Sequence, residues 1–128
     1  MATKPPSRQL DRRGRMAQIL ERDGYECIWC RRSIDVGMNR ATTEHLIPRV
    51  KGGPSWLENE VAACKGCNGK RGHISVAEWL DECERLGLNP NRLAIVSALT
   101  ALRERVSSEG GCRRMRPHLE RQLRRLLR

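Results

Sequence analysis

Cys27-Ile28-Trp29-Cys30 and Cys64-Lys65-Gly66-Cys67 are two Cys-x-x-Cys pairs, and how they are read decides the fold. Each short turn can present two thiolates to one ion, so together they supply the four ligands of a tetrahedral zinc site. Gly66 lets the second turn tighten, and Lys65 brings a cation near a thiolate cluster. The competing readings are two local disulfides or a redox-active pair. Neither explains why a His- and Asn-bearing segment lies between the two turns. Cys83 falls in an apolar helical stripe and is expected as a small buried hydrophobe, whereas Cys112 follows two glycines and is expected as a surface thiol.

Composition suggests a core that would benefit from a staple. Three Trp, one Tyr and no Phe in 128 residues give a thin conventional core, and a length of this size fits one small domain with appendages. Residues 1–10 are polar and lack an apolar targeting segment, and nowhere is there a run of about 18 apolar residues. A cytoplasmic location is therefore expected, where paired cysteines more often bind metal than form disulfides. The net charge of +10 is uneven. Residues 1–22 hold six Lys/Arg against two acids, residues 23–111 twelve against twelve, and residues 112–128 seven Arg against one Glu. Basic ends of this kind favour a polyanionic partner such as nucleic acid, with a solvated Arg-rich surface as the alternative.

Along the chain, residues 1–7 read as a disordered basic N-terminus, residues 8–74 as the zinc-bearing domain, and residues 75–128 as a helical extension. A helix is predicted over 10–22, stopped by Asp23-Gly24. Residues 25–29 and 41–47 are β-prone and joined by a polar loop holding Gly37 and Asn39, which predicts an antiparallel pair; residues 56–63 are predicted helical. Val76, Trp79, Leu80, Cys83 and Leu86 recur at helical spacing after a Ser75 cap, with Gly87 as terminator. Ile95, Leu99, Leu102 and Val106 mark a second amphipathic helix, so the two could pair as a hairpin. Pro117 opens a last basic helix with Leu119, Leu123, Leu126 and Leu127 on one side and Arg121, Arg124, Arg125 and Arg128 opposed. His118 reads as a surface residue of this tail.

Between the cysteine pairs lie Glu44-His45-Leu46-Ile47-Pro48, then Gly52-Gly53 and Asn59; Asn68 follows the second pair, with Arg71-Gly72-His73 beyond. Over about residues 22–73 this run resembles the HNH endonuclease family. The shared pattern is an acid before His, a Pro three residues on, a Gly-Gly loop, a central Asn, and Cys-x-x-Cys followed by Asn and a basic-Gly pair. The resemblance implies an α+β, zinc-stapled ββα-metal core, here with an N-terminal helix and a C-terminal helical extension. It implies metal-dependent cleavage of DNA, expected double-stranded, by an enzyme of bacterial or phage type.

Role by role, the resemblance makes His45 the general base, and an imidazole with an ordinary pKa near 6.5 suits that task. Asn59 is expected to hold the His-bearing loop by side-chain hydrogen bonds. Glu44 and Asn68 match the family's ligands for a catalytic cation and offer the hard oxygen atoms that Mg²⁺ or Mn²⁺ prefers. His73 lies near a further ligand position at an imperfect offset. Lys70 and Arg71 are expected on DNA phosphates, with plain solvation as the alternative. One departure is Glu44, where the family commonly has Asp. Two other readings stay open: a catalytically silent zinc module that binds nucleic acid or docks on a larger machine, and a nuclease recruited to a protein partner through its C-terminal helices.

Overall fold

The computed structural model describes residues 10–34 and 40–128. The expected disordered N-terminus and the Gly37/Asn39 loop lie outside them. The first helix, α1 (Arg12–Asp23), begins where the Asp11 carboxylate accepts from the Gly14 amide, and stops at Gly24, whose amide returns to the Leu20 carbonyl. Ile19 is its buried residue. The strand β1 (Thr42–His45) pairs antiparallel with β2 (Glu60–Ala63) in the register Thr42↔Ala63 to His45↔Glu60. A short helix, α2 (Lys65–Arg71), follows β2 directly, with the Cys64 sulfur accepting from the Cys67 amide. The chain is thus α+β, with a two-stranded sheet and a helix directly behind the second cysteine turn.

Two expectations about the strands are corrected. Residues 25–29 do not pair with 41–47. They form the first cysteine turn, closed locally by a bridge between Glu26 and Ser33 and by the Cys27 amide donating to the Arg32 carbonyl. The partner of β1 is the second half of the stretch predicted helical, where a 3-10 turn over 57–59 gives way to strand. All four β2 residues are buried, so Glu60-Val61-Ala62-Ala63 shows none of the alternation that marks a half-exposed strand.

Three helices complete the chain: α3 (Val76–Arg85), α4 (Arg92–Glu109) and α5 (Arg116–Leu126). The predicted apolar positions of α4, Ile95, Leu99, Leu102 and Val106, are all buried, as are Val76, Trp79, Leu80 and Cys83 of α3. Leu86 and Leu127, placed on apolar stripes by the sequence, are exposed at the helix ends. The helices do not form the expected α3/α4 hairpin. Instead α5 packs against both α4 and α3, because Leu119, Leu123 and Leu126 lay one apolar stripe into the groove between them. The buried residues of these helices are continuous with those around the sheet and cysteine turns, joined by an edge-on contact of Trp29 with Trp79 at 6.2 Å.

Successive strand side chains project to opposite faces, and the contacts of β1 follow that rule. Thr43 accepts from Arg12 and His45 lies beside Glu60, which Arg15 holds, so this face looks toward α1. Thr42 accepts from Asn68 and Glu44 pairs with Arg71, so the other face looks toward α2. No described helix is long and apolar enough to cross a membrane.

Candidate functional site

The ligand atoms of Cys27, Cys30, Cys64 and Cys67 all lie within 4.8 Å of one another, and the Cys30 and Cys64 sulfurs are 3.9 Å apart. Zinc–sulfur bonds of about 2.3 Å in a tetrahedron require sulfurs about 3.8 Å apart, so the donor set and its spacing fit such an ion. The same spacing is far beyond the roughly 2.05 Å of a disulfide, and all six cysteines are free. Burial, opposed by nearby backbone amides, pushes the Cys27 thiol up to about 11, and burial raises Cys67 as well. A cation that draws these groups into the thiolate form supplies the charge compensation that burial removes. Cys83 is buried in the core and Cys112 is partly buried against it.

His45 ends β1 half-buried. Its Nε2 lies 3.1 Å from Ser55 Oγ and 3.6 Å from Glu60 Oε2. Desolvation lowers the imidazole pKa below its ordinary 6.5; Glu60 opposes the shift, and Arg49, Arg15 and Arg12 reinforce it. The ring is therefore neutral at physiological pH and able to accept a proton. Glu60 is itself buried, with Arg15 Nε donating to it at 2.5 Å. Neither Ser55 nor Glu60 was expected at the site. The signal for Glu60 was its position directly after Asn59, which becomes informative once 60–63 is strand and register sets it opposite His45.

Three groups fix the backbone that carries His45. Asn59 is fully buried; its Oδ1 accepts from the Ile47 amide at 2.8 Å, and its Nδ2 donates to the Ile47 and Pro54 carbonyls at 3.0 and 2.9 Å. Arg71 Nη1 and Nη2 donate to the carbonyls of His45 and Leu46, each at 2.7 Å. Gly53 allows the loop to close: a Cβ there would stand 1.8 Å from the Ile47 carbonyl oxygen and 2.8 Å from Asn59 Nδ2. The preceding Gly52, with φ of 89°, ends the 3-10 turn over 49–51 in a left-handed conformation.

The expected cation ligands do not meet around His45. Glu44 is buried on the opposite face, where Oε2 accepts from Trp29 Nε1 at 3.1 Å and Oε1 lies 3.2 Å from Arg71 Nη1. Asn68 Nδ2 donates to Thr42 Oγ1 and the Thr43 carbonyl, and His73 is exposed along a cavity with Lys51 and His118. With both Glu44 oxygens engaged, these three residues as arranged do not fit a catalytic cation. Among the described residues, the four cysteines are the group of His, Cys, Asp and Glu side chains assembled for a metal. Arg71, expected on a phosphate, is instead completely buried. Its Nε donates to the Ile74 carbonyl and its guanidinium carbon lies 5.7 Å from the Trp29 ring centre. Lys70 is exposed beside it on α2.

Residues 27–82 match a family model described as HNH endonuclease. No curated protein and no solved structure gives a match.

Proposed function

We propose that this chain, whose residues 27–82 match a family model described as HNH endonuclease, hydrolyses phosphodiester bonds of double-stranded DNA, with zinc on the four cysteines as a structural ion. The observation that carries the reading is His45: a neutral, half-buried imidazole at a strand end, on a backbone clamped by Asn59 and Arg71. If the ring proton sits on Nε2, facing Ser55 Oγ and Glu60, Nδ1, which no described residue engages, is left to act as base. Nδ1 takes a proton from water, and the water oxygen attacks phosphorus. The bond from phosphorus to the 3′ oxygen breaks, and that oxygen takes a proton from solvent. The products are 5′-phosphate and 3′-hydroxyl ends. Mg²⁺ or Mn²⁺ would supply charge neutralisation at the phosphate; Glu44, Asn68 and His73 do not fit it as arranged.

Purified protein is expected to nick plasmid DNA in Mg²⁺ or Mn²⁺. His45→Ala should lower the rate by about a hundredfold or more while leaving duplex binding intact, the usual scale for loss of a general base. Because a base must be unprotonated and burial lowers its pKa, the acid limb of the wild-type rate should have its midpoint below 6.5. Nicking by His45→Ala at the wild-type rate would remove the base from the mechanism. The second reading, a silent module that binds DNA, is favoured by the engagement of Glu44 with Arg71. Binding without cleavage across several divalent metals would establish it.

A further inference from the structure

Where the turn over 49–51, the start of α3 and the outer face of α5 meet, the surface holds a cavity of about 420 Å³. Lys51 and Arg121 project at its walls, and neither has an ion-pair partner among the described residues. Arg125 also lines it, but its charge is offset by Glu78 at 4.0 Å and Asp81 at 3.6 Å. Two polar groups on this wall are buried without a hydrogen-bond partner among the described residues: the Ser75 hydroxyl and His118 Nε2. A buried polar group left unpaired is destabilising, and such groups call for a ligand or a function. Ser75 occupies the N-cap of α3 yet makes no capping bond, and Gln122 Oε1 takes the Ala77 amide at 2.9 Å instead. The hydroxyl is thus left available at the positive end of a ten-residue helix.

We propose that this cavity binds a backbone phosphate of double-stranded DNA, with Lys51 and Arg121 supplying charge and the Ser75 hydroxyl and His118 imidazole supplying directed hydrogen bonds. The proposal rests on the nuclease reading and extends it, giving the C-terminal helix a part in holding the substrate. The free cations line one concave surface, and the two unpartnered groups lie buried in its wall, an arrangement that suits a tetrahedral oxyanion better than a solvated charged face. Burial lowers the His118 pKa, and Arg121 and Lys51 lower it further, so their charge is felt at the ring. The cavity is tied to the His45 segment through Arg71, which bonds the carbonyls of His45 and Leu46 on one side and of Ile74, a cavity residue, on the other.

The test compares zinc-loaded wild type, Lys51→Ala/Arg121→Ala, and a control that removes equal charge elsewhere, Arg32→Ala/Arg40→Ala. All four side chains are exposed, so the melting temperature should hold in both variants. Anisotropy of a labelled duplex is followed from about 50 to 200 mM salt, beside calorimetric titration with inorganic phosphate and a plasmid nicking assay. The cavity variant should bind the duplex about tenfold more weakly, with its logarithmic salt slope reduced by about 1, and should lose phosphate uptake; the control should keep both. Wild-type affinity and slope in the cavity variant, or an equal loss in the control, overturns the site even if wild type nicks DNA. If wild type binds no duplex but takes up phosphate through these residues, the site stands as one for free phosphate and the DNA assignment falls. If it takes up neither, the site falls.

Discussion

Zinc withdrawn from the purified chain, by unfolding with a chelator and refolding without metal, should leave a protein with no cooperative thermal transition. The expectation follows from what the cysteine turns hold. The Ile28 amide donates to the Ala62 carbonyl of β2, the Ile28 carbonyl accepts from the Asn91 amide ahead of α4, and Trp29 meets Trp79 of α3. One turn therefore anchors the sheet and two helices. Structural zinc contributes an apparent ~10–16 kcal/mol in small metal-folded units, which exceeds the roughly 5–15 kcal/mol that domains usually possess. A core with three Trp, one Tyr and no Phe has little reserve to replace it. Near-ultraviolet circular dichroism, which the Trp29–Trp79 contact should dominate, is expected to collapse on zinc removal and return with one equivalent per chain. Cys67→Ser should behave like the stripped protein. A metal-free chain that melts sharply within a few degrees of the loaded one would refute the staple.

What the sequence made legible, and what it hid, divides by the range of the interactions. Paired cysteines and the order His45, Gly53, Asn59 speak through short spacings, since the ligands of each turn and the closure of one loop are nearly local matters. The helices α3 and α5 announce themselves because each buries one stripe and wets the other, and α4 shows itself through the spacing of Ile95, Leu99, Leu102 and Val106, all of them buried. The strand β2 hides because both its faces are covered, leaving Glu60-Val61-Ala62-Ala63 with no period to read and with Ala and Glu that suit a helix equally well. The side-chain pairing was hidden for the same reason. Read without the register, Glu44 stands next to His45; in the fold they face apart, and the acid beside the imidazole is Glu60.

The sharpest consequence of that arrangement concerns Arg71. Arg71→Leu should cost about 4 kcal/mol or more, because breaking a buried ion pair typically costs about 3–5 kcal/mol. The change also strips donors from the carbonyls of His45, Leu46 and Ile74, and it leaves Glu44 buried as an unpaired anion. Burial already raises the Glu44 pKa, with Arg71 the main opposing influence. A carboxyl whose folded pKa exceeds its unfolded value weakens the fold as pH rises through that interval. Removing Arg71 lifts the folded value further and widens the interval upward. The deficit of Arg71→Leu should accordingly be smaller near pH 5 than at pH 7, and Glu44→Gln in the same chain should recover part of the loss and flatten the dependence. Denaturant unfolding at both pH values measures it. A phosphate-contacting arginine would behave in the opposite way, with Arg71→Leu weakening DNA binding and leaving the unfolding midpoint where it was. That outcome, or a deficit below about 1 kcal/mol, would return Arg71 to the surface role that its place in the sequence suggests.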